Sequence, residues 1–113
     1  MLGTNLKHLL SENDFNKAIK ENENVMICCG RMGPMCLPVY DVMENLEEKY
    51  DHVKFYDMEF DIPEAHVLRN HEAARGFMGL PFVFYFKNGK AVKASTSIQN
   101  KKQVKENLDT YLG

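Results

Sequence analysis

The order of apolar and polar positions along the chain predicts strands that alternate with helices. Residues 6–10 are typical of a short first strand. Ser11 followed by Asp14 indicates a capped helix that runs to about Lys20. Residues 24–29 form a short apolar run after polar residues, which is typical of a buried strand.

The middle of the chain predicts a turn, a long helix and a second helical segment. Residues 30–34 are rich in glycine and proline and predict the turn. A helix is then predicted from about Pro34 to Tyr50, because apolar residues recur at three- and four-residue spacing. Its predicted core-facing residues are Leu37, Tyr40, Met43, Leu46 and Tyr50. Residues 53–58 alternate and predict a strand, and residues 62–64 favour another helix that ends near Gly76.

The last third of the chain predicts a hairpin followed by a helix. Residues 82–86 are aromatic and β-branched, Asn88-Gly89 suits a tight turn, and residues 90–95 form the returning strand. Asn100 caps the final helix, which buries Val104, Leu108, Tyr111 and Leu112. The predicted order is β-α-β-α-β-α-β-β-α, an α/β fold with a central mixed sheet flanked by helices.

Size and charge exclude several classes of function. The chain has 113 residues, 44% of them hydrophobic and 27% charged, which fits a single domain over residues 1–113. A formal net charge of −2 gives no electrostatic footprint for nucleic acid or an anionic membrane. No apolar run has the length of a membrane span, and the N-terminus lacks a signal-peptide pattern. We therefore expect a cytoplasmic protein without nucleic-acid or membrane partners.

Three cysteines lie close together in the sequence, at positions 28, 29 and 36. An odd number in one short segment is not a disulfide framework of a secreted protein. In a reducing compartment such a cluster indicates redox chemistry, a metal, or small buried hydrophobes. We interpret Cys28, in the middle of its strand, as a small buried hydrophobe.

Residues 75–89 read R-G-F-M-G-L-P-F-V-F-Y-F-K-N-G. This segment resembles the C-terminal half of thioredoxins, in which a Gly-hydrophobic-Pro sequence precedes an apolar strand and a Lys-Asn-Gly hairpin. Residues 103–108 are similar to the last helix of that family, and the likeness covers nearly the whole chain. The resemblance implies a thioredoxin-like fold. It also implies that Pro81 is preceded by a cis peptide bond and packs against the active-site cysteines.

The likeness breaks at the active-site motif. Where thioredoxins carry Trp-Cys-Gly-Pro-Cys, this chain aligned without gaps reads R-M-G-P-M over residues 31–35. A methionine thioether cannot form the thiolate that attacks a disulfide. The buried acid of the family matches Met26, its nearby lysine matches Phe55, and a glycine of the substrate groove matches Ser97.

Cys29 and Cys36 flank the altered motif, with six residues between them. In a second alignment the loop is expanded and these two cysteines become the redox pair; both alignments remain open at this point. We expect Cys36, in the first turn of the helix, to attack, because a helix N-terminus favours a thiolate. Cys29 then resolves the mixed disulfide, with the roles reversed if the loop exposes Cys29 more, and Arg31 stabilises the thiolate charge.

The sequence therefore predicts an atypical thioredoxin-like protein disulfide oxidoreductase that serves electron transport in cell redox homeostasis. Its expected partners are disulfide-containing proteins and a thioredoxin-reductase-like electron donor, and we expect a monomer without a cofactor or a metal. One alternative is a redox-inactive binding module, and a second is a copper site built from the thiols and thioethers of the loop. The catalytic pair is Cys29 and Cys36, and the predicted substrate-binding residues are Arg31, Met32, Gly33, Pro34, Met35, Leu80 and Pro81.

Overall fold

The structure is a computed structural model that describes residues 2–113, which form five strands and four helices. The order of the elements confirms the predicted β-α-β-α-β-α-β-β-α sequence. In chain order the elements are β1 (Lys7–Leu9), α1 (Glu12–Glu21), β2 (Asn24–Gly30), α2 (Leu37–Leu46), β3 (Lys54–Glu59), α3 (His66–Arg69), β4 (Phe82–Lys87), β5 (Lys90–Thr96) and α4 (Lys101–Tyr111). Two short 3₁₀ turns, Pro63–Ala65 and Glu72–Ala74, flank α3.

The strands form one mixed sheet in the order β1-β3-β2-β4-β5. Strands β1, β3 and β2 are parallel, whereas β4 runs antiparallel to β2 and β5 antiparallel to β4. The predicted hairpin turn is confirmed, because Asn88 and Gly89 both have a positive φ, of 53° and 82°. Strand β2 lies at the centre and is buried along its whole length, which explains its unbroken apolar run.

Alternate residues of β2 face opposite sides of the sheet. Met26 and Cys28 pack in one buried cluster with α2 and α4. Val25, Ile27 and Cys29 pack in the other, with α1 and α3. Adjacent cysteines of the central strand therefore belong to different cores.

Helix α2 begins at Leu37, so the prediction of a start near Pro34 is wrong. Pro38 has no N–H group and cannot donate to the carbonyl of Pro34, which removes the bond that a first turn there requires. Residues 34–36 form a turn instead, in which the N–H groups of Cys36 and Leu37 each donate to the Gly33 carbonyl at 3.0 Å. The regular helix also ends earlier than predicted, at Leu46.

The predicted helix from residues 62–64 to Gly76 is likewise wrong, because the segment is divided into short turns around the four-residue α3. His71 is extended, with ψ 141°, and its ring Nδ1 accepts a hydrogen bond from the Ala73 N–H at 3.0 Å. This cap starts a separate turn and stops α3 from continuing. Arg69, at the end of α3, donates to the carbonyls of Phe60 and Ile62 at 2.6 and 2.7 Å.

Both predicted helix caps are confirmed. The Ser11 hydroxyl accepts from the Asp14 N–H at 3.0 Å at the start of α1. Asn100 and Gln103 form a reciprocal capping box at the start of α4. Helix α4 then buries Val104, Leu108 and Leu112, as predicted, while Tyr111 is only partly buried.

Strand β5 is an edge of the sheet and carries an irregularity. Tyr85 lies opposite Lys93 and Phe86 lies opposite Ala91, so Val92 is an extra residue in the ladder. Val92 is 40% exposed. Within residues 2–113, every helix falls short of the apolar length that crossing a membrane requires.

Candidate functional site

Cys36 lies at the start of α2, directly above the end of the central strand. It is the N-cap residue of the helix and is only 2% exposed. Gly30 provides the space for its sulfur, because a Cβ on this glycine would lie 2.8 Å from Cys36 Sγ and 2.8 Å from Tyr40 Oη. The same Cβ would lie 3.2 Å from Pro81 Cβ. The sulfur, the tyrosine hydroxyl and the proline ring therefore meet over one backbone position.

The Leu80–Pro81 peptide bond is cis, as the resemblance implied. The Ser97 N–H donates to the Pro81 carbonyl at 3.1 Å, and the Thr96 hydroxyl donates to the Gly79 carbonyl. Ser97 has φ 69°, a left-handed conformation that glycine adopts most easily. This conformation agrees with the alignment of Ser97 to a family glycine. The end of β5 thus holds residues 79–81, which we call the proline segment, beside Cys36.

The backbone of Arg31 contacts the Cys36 thiol. The Arg31 N–H donates to Cys36 Sγ at 3.4 Å, and the Arg31 carbonyl accepts from the Tyr40 hydroxyl at 3.1 Å. Burial raises the pKa of Tyr40, and negative charge on Cys28 and Cys36 raises it further. The hydroxyl therefore remains a donor. The Arg31 N–H therefore points at the sulfur, and the hydrogen bond from Tyr40 to the Arg31 carbonyl holds this residue in place.

The Arg31 side chain points elsewhere. Its guanidinium donates to both carboxylate oxygens of Asp61, at 2.7 and 2.8 Å, and lies 5.3 Å from the centre of the Phe60 ring. The hydrogen bonds from Arg31 lower the pKa of Asp61 below its ordinary value. It is therefore the main-chain amide of Arg31, and not its guanidinium, that contacts Cys36 in this structure.

The structure does not bring the predicted pair together, because Cys29 and Cys36 pack on opposite faces of the sheet. All three cysteines are free and buried. Burial raises the pKa of Cys29 from 9.0 to about 12, against a lowering by the positive charge of Arg69. Burial also raises the pKa of Cys28 well above its ordinary value, and negative charge on Cys36 adds to the shift. Both strand thiols are therefore protonated at neutral pH.

The predicted substrate-binding loop forms an exposed apolar rim around Cys36. Met32, Met35 and Leu37 are 48%, 42% and 40% exposed. Pro34 is also exposed, Gly33 and Leu80 are half-buried, and Pro81 is buried. Met78 is 94% exposed, precedes the proline segment and was missed by the sequence analysis. We call Met32, Met35 and Leu37 the methionine rim.

The proposed copper ligands are not assembled in the structure. Cys29 packs on the other face of the sheet, and Met32 and Met35 are 48% and 42% exposed. In residues 2–113, His, Cys, Asp and Glu side chains form no group of three that could hold a metal ion. The copper alternative therefore gains no support from the geometry.

Asp57 is a second residue that the sequence analysis missed. It is buried in β3, opposite Cys28 in the sheet register. The Thr4 hydroxyl donates to its carboxylate, and His8 Nδ1 lies 2.6 Å from it. Burial raises the pKa of this carboxyl, and both hydrogen bonds oppose the shift. An acidic residue in a strand of alternating apolar residues is the sequence signal that could have identified it.

The buried thiol of Cys29 predicts a loss of stability in alkali. In the folded chain the Cys29 thiol keeps its proton to about pH 12, whereas in the unfolded chain it loses this proton near pH 9. The unfolded state therefore binds fewer protons between these values, and the free energy of unfolding falls by up to ~1.4 kcal/mol per pH unit for this thiol. Urea unfolding at pH 8 and pH 10.5 measures the effect. A Cys29→Val variant should show a shallower dependence, and an identical dependence would contradict the assignment.

Comparison with solved structures identifies the fold. Thioredoxin from Plasmodium falciparum superposes with a TM-score of 0.76 at 22% identity, covering 94% of this chain and 99% of that chain. Mitochondrial thioredoxin 3 from Saccharomyces cerevisiae gives 0.77 at 18% identity, with 92% and 93% coverage. Thioredoxin from Malassezia sympodialis gives 0.78 at 16% identity, with 100% and 96% coverage. No model of a known protein family and no curated protein matches the chain. At these identities the likeness shows the fold.

Proposed function

We propose that this chain, which has the thioredoxin fold, exchanges thiols with protein disulfides through Cys36. The observation that carries the proposal is the position of Cys36 Sγ, which lies at the start of α2 beside cis-Pro81. The Arg31 N–H donates to this sulfur, which lies at the N-terminal end of helix α2. Cys36 is also the cysteine that does not lie within a strand.

The reaction begins with attack of the Cys36 thiolate on one sulfur of a substrate disulfide. A bond forms between Cys36 Sγ and that sulfur, and the other substrate sulfur leaves as a thiolate that takes a proton from water. A second thiol then attacks Cys36 Sγ, releases the substrate and closes an internal disulfide. An external dithiol, supplied by a thioredoxin-reductase-like electron donor, returns the chain to its reduced state with two electrons.

Access to Cys36 requires a local movement of the chain. Because Cys36 is only 2% exposed, the residues that cover its sulfur have to shift before a substrate sulfur can reach it. The methionine rim provides the apolar surface that a substrate contacts, and methionine side chains adapt to partners of different shape. In this proposed function the substrates are disulfide-containing proteins, and the chain is a cytoplasmic monomer that serves cell redox homeostasis.

A redox-inactive binding module is the second candidate. The burial of all three thiols favours it, because none is open to a substrate in this conformation. The exposed methionine rim favours it equally, since such a surface can bind a partner without any exchange. The two candidates use the same surface and differ in whether Cys36 reacts.

Reduction of insulin by dithiothreitol separates the two candidates. We expect the reduced chain to accelerate precipitation of the insulin B chain over the dithiothreitol background. The matched control is a variant with serine at positions 28, 29 and 36, which retains the methionine rim and lacks every thiol. Equal rates for the two proteins would reject the exchange function and leave the binding module.

A further inference from the structure

Cys28 and Cys36 pack in the same buried cluster, on the face of the sheet that carries α2 and α4. We propose that Cys28, and not Cys29, is the thiol that closes the internal disulfide with Cys36. The inference rests on the proposed function, because it assigns the second thiol of the same reaction. It also gives a chemical role to a residue that the sequence analysis interpreted as a small buried hydrophobe.

The alternation of β2 carries the first part of the argument. Side chains two residues apart in a strand share a face, so Cys28 faces the same side as Gly30. Cys36 Sγ lies directly over Gly30, since a Cβ on that glycine would be 2.8 Å away. The sulfur of Cys36 is therefore one side-chain position along the strand from Cys28, a step of about 6.6 Å between Cα atoms.

No side chain of the strand stands between the two sulfurs. The one residue that could separate them on this face is Gly30, which has no Cβ. The Tyr40 hydroxyl lies over the same position, 2.8 Å from where a Cβ on Gly30 would be, so it has to move aside as the sulfurs approach each other. Rotation about the Cα–Cβ bonds of the two cysteines, together with the movement that substrate access already requires, is the motion that brings the sulfurs together. The pairing of β2 with its neighbouring strands does not have to break.

Cys29 lacks such a path to Cys36. Its side chain lies on the other face of the sheet, in the cluster that includes Phe82 and Met58. These two residues are also its direct partners on β4 and β3. A bond to Cys36 requires the end of β2 to detach, including the pairing of Gly30 with Glu59.

The closing step is balanced in atoms and electrons. Cys28 attacks Cys36 Sγ of the mixed disulfide, a bond forms between the two cysteine sulfurs, and the bond from Cys36 to the substrate sulfur breaks. The substrate sulfur leaves with the electron pair and takes the proton that Cys28 loses. Cys28 and Cys36 are oxidised by two electrons in total over the cycle, and the substrate disulfide is reduced by two. Because burial raises the pKa of Cys28, we expect closure to be slow and the mixed disulfide to accumulate.

Oxidation of the full chain by diamide tests the assignment. We expect one internal disulfide and one free thiol, counted by maleimide-polyethylene glycol labelling in denaturant. Fragmentation of the intact wild-type chain by mass spectrometry then locates the bond between positions 28 and 36 without any substitution. A bond between positions 29 and 36, or no internal bond, would overturn the inference.

Two matched variants add an independent readout. Cys29→Ser should form the internal disulfide as the wild-type chain does, whereas Cys28→Ser should retain both of its thiols after diamide treatment. Circular dichroism and a Cys28→Ala variant guard against a folding defect. If the chain reduces insulin but forms its internal disulfide at Cys29, only this inference is overturned and the proposed function stands. The absence of insulin reduction in the wild-type chain would overturn the proposed function, whichever bond forms.

Discussion

Substitution of Cys36 by serine is expected to lower the rate of insulin reduction at least ~100-fold toward the dithiothreitol background, because it removes the sulfur that is proposed to attack. Cys36 Sγ accepts a hydrogen bond from the Arg31 N–H and lies beside Pro81. A serine hydroxyl has the same shape but cannot form or exchange a disulfide at neutral pH. The measurement is the initial rate of insulin precipitation with equal concentrations of each protein.

Two further variants make this result interpretable. Cys29→Ser should retain most of the rate if Cys28 closes the disulfide, and should lose it if Cys29 does. A Cys36→Ser protein that folds and reduces insulin at the wild-type rate would contradict the assignment of the attacking thiol.

Met35→Leu keeps an apolar side chain at the rim and removes a thioether, so a change in copper uptake with this variant would restore the copper alternative.

Substitution of Gly30 by alanine is expected to lower the free energy of unfolding by about 2 kcal/mol, within the range of overpacked cores. The added methyl group would lie 2.8 Å from both Cys36 Sγ and Tyr40 Oη and 3.2 Å from Pro81 Cβ. The proline ring and the buried tyrosine cannot rotate away easily, so the chain has to shift. We also expect slower insulin reduction, because the sulfur and the proline are displaced from one another.

Gly33→Ala is the matched control for this effect. A Cβ at Gly33 has no neighbour within 4 Å, although the residue lies in the same loop only three positions away. Its unfolding free energy should stay within about 0.5 kcal/mol of the wild-type value. Urea unfolding of the two variants gives the comparison, and equal destabilisation would show that the close contacts at Gly30 do not control the site.

The strands were predictable because their signals are local. The β4–β5 turn rests on Asn88 and Gly89, two residues that tolerate a positive φ, and the structure has both in that conformation. The cap at Asn100 was similarly visible in the sequence. Such features depend on the residues that form them and very little on the remainder of the chain.

The helix boundaries near the site were not predictable from apolar spacing. That spacing runs without interruption from Leu37 to Tyr50. It gives no information on backbone hydrogen bonds, and so it does not show that Pro38 removes the bond that a helical turn starting at Pro34 requires. The end of α3 depends on the His71 ring, which has to be oriented toward the Ala73 N–H. A side chain that caps through its ring nitrogen has no standard sequence pattern.

The proposed pairing of cysteines depends on which face of β2 each helix covers. The apolar run from Val25 to Cys29 is buried on both sides, so no polar residue marks an outer face. Alternation alone predicts only that Cys28 and Cys29 point to opposite faces of the sheet. Only the packing of α2 over Gly30 decides that Cys28 shares a side with Cys36.

The irregularity of β5 has a consequence for self-association. A free strand edge is a template on which another chain can add, and proteins disrupt such edges with bulges and charged side chains. Here the extra residue Val92 interrupts the hydrogen-bond ladder between Lys90 and Lys93, the two lysines of the strand. The opposite edge, β1, offers only three residues. Growth of the sheet by addition of another copy is thus opposed at both ends.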